Sequence, residues 1–380
     1  MWLEIDLAKR ALAVGFAAFV TSSAAQGGTV LHVDDDAGAG GNGLTWVTAY
    51  RFLQDALADA AASGGAVDEI RVAQGTYLPN RDEAHPDGTS NCCEASGGLG
   101  CDDPDCEASV CGIMPECCLV GWTQACAIAA GDLCGALCES REATFQLIDG
   151  VAIRGGYAGT GTPDPDERDV EIYETILSGD LLGNDVGDLL DPSRDDNVYH
   201  VVTGSGTGLS AVLDGFTVTA GIANGPTSDA KRGGGMRLEP GSPTVIDCAF
   251  ELNLAQYGAG LFAEAPSSPD ILGCAFTGNV AAGGRGGGMQ CLGEGSSPTV
   301  RDCTFSSNSA TGGVYGTGTG GGFACTQYSS PTVENCTFTG NTATSGTADH
   351  TGYAGGFYAF LYTSPTIEGC TFQDNTAIGG

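Results

Sequence analysis

Positive charge is what this 380-residue chain has least of: 14 Lys plus Arg stand against 47 Asp plus Glu, a net charge of -33. A surface of that sign repels phosphate backbones and anionic lipid, which argues against nucleic acid as a partner. Histidine is scarcer still, at four residues. No Ser stands in G-x-S-x-G, and neither H-E-x-x-H nor a phosphate loop occurs, so nucleophilic, zincin and nucleotide chemistries lack their residues. "GTGTGGGF" has the look of a nucleotide cradle, but its glycines belong to the repeat described below. Beyond the N-terminus no stretch approaches the ~18 apolar residues of a membrane helix. Glycine is abundant, at 62 residues. It follows no G-X-Y period, which excludes collagen and favours a turn-rich all-β repeat.

At the N-terminus Lys9 and Arg10 precede an apolar run from Ala11 to Val20, followed by the small residues Ser23, Ala24 and Ala25. This reads as a secretory signal peptide over residues 1–25. Export to the cell surface or medium would permit disulfides.

The repeat becomes visible when Pro243, Pro269, Pro298, Pro331 and Pro365 are aligned. Two residues on stand Val245, Ile271, Val300, Val333 and Ile367; five on stand Cys248, Cys274, Cys303, Cys336 and Cys370. Phe250, Phe276, Phe305, Phe338 and Phe372 follow, then Asn253, Asn279, Asn308, Asn341 and Asn375, and an Ala closes each unit. Cys-x-Phe has the period of two that sends both side chains to one face of a strand. The offset of three from Val to Cys breaks that period and predicts a corner. Another strand precedes each Pro, as in "GGGMRL" and "GGGFAC". Each unit is expected to hold two or three strands. So small a unit cannot bury its apolar face alone, so successive units must stack, about 4.8 Å apart, as a parallel β-helix. Asn is expected at a corner with unusual backbone angles, bonded along its column.

The same offsets extend upstream to Leu213, Phe216 and Val218, and to Ile148, Val151 and Ile153. Earlier, Phe52, Leu53, Ala56, Leu57 and Ala60 make a helical stripe that would cap the first coil. The chain stops where another "GGG" strand is due, which reads as an array cut short.

"GGGM" or "GGGF" paired with "FTGN", "FSSN" or "FQDN" resembles the GGA[ILV] and FxxN repeats of the chlamydial polymorphic membrane proteins, which are secreted β-helical adhesins. The opening "LHVDDDAGAGGNGLTWVTAYRFLQDAL" and the later "LDGFTVTAGIANG" are similar to exported right-handed β-helix proteins of planctomycete-type bacteria, in the pectin-lyase-like superfamily. The resemblance spans about residues 29–80 and 143–380. It implies right-handedness, in line with the usual crossover chirality, and leaves activity open.

Ten cysteines, Cys92, Cys93, Cys101, Cys106, Cys111, Cys117, Cys118, Cys126, Cys134 and Cys138, crowd one segment. An even number in an exported chain reads as a disulfide framework of undetermined pairing. No C-x-x-C supports zinc. Cys118, Trp122, Cys126, Ala130 and Cys134 recur every four residues, which suits a stapled helix. The expected organisation is therefore a signal over 1–25, a cap and first coil over 26–90, a partly helical Cys-rich insertion over 91–140 and β-helix repeats over 141–380. The seven later cysteines, the repeat column plus Cys291 and Cys325, are expected to be buried reduced thiols.

Function is less legible. Uronate lyases need Lys or Arg, and after residue 200 only Lys231, Arg232, Arg237, Arg285 and Arg301 remain. A hydrolase needs two facing carboxylates; Asp195 and Asp196 are the nearest pair, and adjacent Asp residues usually cap a turn. Asp180, Asn184, Asp185 and Asp188 supply hard oxygen ligands that would suit calcium, and no organic cofactor is called for. From Asn to the apolar residue of the next GGG-type strand the count rises from 8 to 10, 15 and 16. Such insertions (281–286, 311–320 and 344–354, carrying Tyr315, His350 and Tyr353) would share one side of the solenoid. The resulting expectation is an exported structural or adhesive protein that binds an extracellular glycan or surface protein, with a polysaccharide lyase or glycoside hydrolase on the same scaffold as the alternative.

Overall fold

The computed structural model describes residues 28–86, 99, 101, 104–123, 125–126, 129–130, 140–313, 316–346 and 352–379. Short strands pair in parallel throughout, giving four sheets of nine, eight, seven and six strands. From Met236 onward each coil visits the sheets in a fixed order. Met236–Leu238 lies in the seven-stranded sheet, Thr244–Ile246 in the nine-stranded, Ala249–Glu251 in the eight-stranded and Leu254–Tyr257 in the six-stranded; Leu261–Glu264 then begins the next coil. The coil thus has four strands, where the sequence pattern suggested two or three. The fourth was hidden because its inward residue is a small Ala (Ala255, Ala281, Ala310, Ala343), which gives no strong apolar signal.

Corners are made by single residues with left-handed backbone. Between the Val and Cys columns stand Asp247, Gly273, Asp302, Asn335 and Gly369, all at φ between 47° and 66°. Asp, Asn and Gly are the types that enter this region most easily. The next corner belongs to Leu252, Gly278, Ser307, Gly340 and Asp374, at φ 52–65°. The left-handed residue is therefore the one before each Asn, and not the Asn as expected.

The Asn has a different task. Asn279 Nδ2 donates to Asn308 Oδ1 at 3.0 Å and to the Phe250 carbonyl of the coil before at 2.8 Å, while Asn279 Oδ1 accepts from both the backbone N–H and Nδ2 of Asn253. Asn308 and Asn341 repeat the arrangement. All four side-chain positions are filled, which makes a wholly buried amide tolerable. Next to this ladder, the Phe250, Phe276, Phe305, Phe338 and Phe372 rings stack at 4.7–4.9 Å, tilted by no more than 7°. Each buried ring contributes about 1.5–3 kcal/mol. The seven repeat cysteines are free, all buried but the half-buried Cys370. Burial pushes the Cys274 and Cys291 thiols well up.

Helix α1 (Leu53–Ala62) buries Leu53, Ala56, Leu57 and Ala60 against the first strands, as the apolar stripe predicts, and joins the same core as the Phe stack. One upstream register differs from expectation. Ile153 pairs with Leu213 in the nine-stranded sheet, and Leu177 is the residue that pairs with Val218. "IDGVAI" imitates "LDGFTV" locally, but pairing of Ile153 to Ile70 fixes it five residues away.

The insertion contains α2 (Pro104–Ile113) and α3 (Glu116–Leu119). Cys111 is bonded to Cys118 and Cys117 to Cys126; Cys101 and Cys106 are disulfide-bonded as well. Cys92, Cys93, Cys134 and Cys138 lie outside the described residues, as do residues 1–25, expected from sequence to be a signal peptide. A single helix through Cys118, Trp122 and Cys126 does not form: α3 ends at Leu119, and Gly121 takes φ 156°. Trp122, Cys126 and Ala130 are nonetheless buried together with Cys106, Val110 and Cys117 in a core of their own.

Candidate functional site

Whereas the loop 158–174 lies between the nine-stranded and eight-stranded sheets, several insertions lie on another passage of the coil, from the eight-stranded to the seven-stranded sheet. The Cys-rich segment enters there between Tyr77 and Phe145, the acidic loop between Ser178 and Val202, and the later loops beyond Thr311 and Thr344. The first expected loop, 281–286, is instead largely absorbed into the strand Val280–Arg285.

Where this passage rejoins the seven-stranded sheet, Arg232, Tyr257, Arg285, Thr319 and Tyr353 pair rung on rung in an outward column. Each precedes a left-handed residue, Gly233, Gly258, Gly286, Gly320 or Ala354, that turns the chain into the sheet. Adjoining outward columns carry Arg237, Phe262, Gln290, Ala324 and Tyr358, then Glu264, Leu292, Thr326 and Phe360. They face away from the interior because Met236, Leu261, Met289 and Phe323 alternate inward.

Two regions divide this face. At the earlier coils Arg232 bonds Glu264 at 2.5 Å and covers the Phe262 ring at 5.3 Å, while Arg237 bonds Glu239 and approaches Asp229 at 3.5 Å. Burial, then the neighbouring Glu239 carboxyl, raises the Glu264 pKa. At the later coils lies a groove of about 520 Å³ lined by Arg285, Thr319, Thr326, Tyr353, Tyr358 and Phe360. Tyr353 and Tyr358 have ring centroids 6.4 Å apart, and Tyr358 and Phe360 6.0 Å. On the far margin Tyr328 and Tyr362 stack at 5.0 Å. Arg285 forms no ion pair among the described residues, and Thr326, 1% exposed, has a hydroxyl with no hydrogen-bond partner.

Of the three loop residues proposed from sequence, Tyr353 lines this groove, and Tyr315 and His350 lie outside the described residues. Arg285, Thr326, Tyr358 and Phe360 were missed. Their signal was present: each holds a fixed offset from the glycines of its unit.

In the acidic loop Asp180 accepts the backbone N–H groups of Asn184 and Asp185. Asp185 pairs with Arg194 at 2.6 Å and accepts from Asn197 at 3.1 Å; Asp188 accepts from Leu190 N–H. Asp180, Asp185 and Asp188 do not converge as a metal-holding trio among the described residues. Asp195 caps the end of a 3-10 turn over Pro192–Arg194, and Asp196 accepts from Leu182 N–H.

Residues 234–379 match the family described as right handed beta helix region. The chain is thus a right-handed parallel β-helix with a Cys-rich insertion. No curated protein and no solved structure matches it. No helix among the described residues is long and apolar enough to cross a membrane.

Proposed function

We propose that this is an exported, cell-surface or extracellular β-helix protein with an adhesive role, holding a glycan on the outer face of its seven-stranded sheet. The observation that carries the reading is the groove of Tyr353, Tyr358 and Phe360 with Thr319, Thr326 and Arg285. Aromatic faces beside hydroxyls suit the apolar C–H faces and polar rims of sugar rings. The volume falls within the ~300–1,000 Å³ of small-ligand sites. Ladder pairing holds the lining in place: Arg285, Thr319 and Thr326 pair with coils on both sides, and Tyr353, Tyr358 and Phe360 pair with the coil before.

Polysaccharide cleavage is the competing reading. The carboxylates closest together on this face, Glu239 and Glu264, each bond an arginine, which favours a structural charge cluster. A glycan array probed with the labelled full chain, run beside reducing-sugar and unsaturated-product assays, tests the choice. Binding without product is expected; release of new reducing ends or unsaturated sugars overturns it.

A further inference from the structure

We infer that the groove selects a neutral hexopyranose segment, with Arg285 acting as a hydrogen-bond fork for ring hydroxyls and Thr326 supplying a polar contact in the floor. This rests on the glycan reading above and names its ligand class.

Three observations lead there. First, the chain carries -33 charges overall. An acidic polysaccharide passing along the face meets that field, which reaches about 8 Å into physiological salt. Arg285 alone lines the groove as a cation, and one guanidinium does not neutralise a run of carboxylates or sulfates. Second, Arg285 is exposed, lies near Tyr358 and is free of carboxylates. A guanidinium has five N–H donors in a planar fork, and these can donate to a pair of adjacent hydroxyl oxygens. Third, the Thr326 hydroxyl has no partner although the residue is buried. An unpaired hydroxyl in such a place is unfavourable. Thr326 lines the groove, so a sugar hydroxyl bound at its floor would supply the missing partner. Tyr353, Tyr358 and Phe360 supply the ring faces, and their spacing of 6.0–6.4 Å runs along the groove.

Calorimetric titration of the full chain with cellohexaose, maltohexaose and mannohexaose, beside hexagalacturonate and a sulfated galactan oligomer, tests the inference. At least one neutral oligomer is expected to bind, with an affinity that changes less than twofold between 50 and 500 mM salt (roughly the insensitivity of an uncharged contact). Tyr358→Ala should weaken it about tenfold or more, by analogy with aromatic stacking contacts. Thr326→Val is nearly isosteric; it should weaken binding several-fold while leaving the melting temperature equal or higher, because it deletes an unpaired buried hydroxyl. Arg285→Gln keeps a donor and should retain more affinity than Arg285→Ala. Binding of the acidic oligomers alone overturns the neutral-sugar inference and leaves the glycan reading standing. Binding of no sugar removes both. Unchanged binding by Thr326→Val and Tyr358→Ala with an intact melt also overturns it, by placing the sugar elsewhere.

Discussion

Asn308 Oδ1 accepts two hydrogen bonds from Asn279, one from its backbone N–H at 3.0 Å and one from its Nδ2 at 3.0 Å. Asn308→Ala leaves both donors buried and unpaired, together with the Phe276 carbonyl that Asn308 Nδ2 serves at 2.8 Å. At about 1–3 kcal/mol for each group so stranded, a loss above about 3 kcal/mol is expected in urea unfolding. Asn308→Asp should be worse at pH 7 than at pH 4, since the ionised carboxylate has no donor to offer Asn341 or Phe276. Equal stability of the wild type and Asn308→Ala would contradict the ladder.

Phe305 sits in the middle of the ring stack, 4.7 Å from both Phe276 and Phe338. Phe305→Ala should cost about 3–5 kcal/mol and Phe305→Leu distinctly less. Hydrogen exchange should show the loss concentrated in coils 276–338, because each coil touches only its neighbours.

Thiol titration should separate the cysteines into two populations. Folded protein should yield no rapid reaction at Cys248, Cys274, Cys291, Cys303, Cys325 and Cys336, which are buried and free; Cys370, half-buried, should react first. Raising the pH to 9 should not accelerate Cys274 or Cys291, whose thiols burial holds well above their usual range. Fast labelling of several of them in native buffer would contradict the packing.

His200 gives stability a pH dependence. Burial pulls its imidazole from 6.5 down to about 4, and its Nδ1 donates to the Gly233 carbonyl at 2.9 Å. The unfolded chain therefore takes up a proton near pH 6.5 that the folded chain refuses until about pH 4. The stabilisation present above pH 6.5 is lost as pH falls through that window, reaching about 3 kcal/mol. His200→Gln keeps a donor to Gly233 and should flatten this part of the curve when stability is measured from pH 7.5 to 4. An unaltered slope would contradict the burial of a neutral ring.

The insertion has its own small core and its own bridges. Replacing Cys117 and Cys126 together with Ala should abolish the buried signal of Trp122, while the β-sheet circular dichroism and the melting of the solenoid change little. Loss of the whole fold would show that the insertion is needed to close the first coil.

The inward half of this molecule could be read from sequence, and the outward half hardly at all. Val, Cys, Phe and Asn recur at fixed offsets because each must sit above its copy, so packing writes itself into the spacing. Ala255 and its counterparts left the fourth strand unnoticed, because a small residue marks a face without advertising it. "IDGVAI" misled because six residues can satisfy a local pattern while long-range pairing to Ile70 decides their place. Tyr353 was reached through loop length, but Arg285, Thr326 and Tyr358 come together only when residues 32 to 73 positions apart are laid on successive rungs. Nothing in the apolar pattern distinguishes them, since they lie on the outer side of the sheet, where no interior column fixes their type.

Ladder pairing also turns the solenoid into a ruler. From Val245 onward the coils present like inward columns to the coils before and after them, so a repeat coil gained or lost there leaves the Val, Cys, Phe and Asn columns in register. What changes is outside: each addition moves the Arg232 and Glu264 cluster one rung, about 4.8 Å, further from the groove at Tyr358. Distance between two surface patches is thus set by counting coils, and it is free to vary with no penalty to the core.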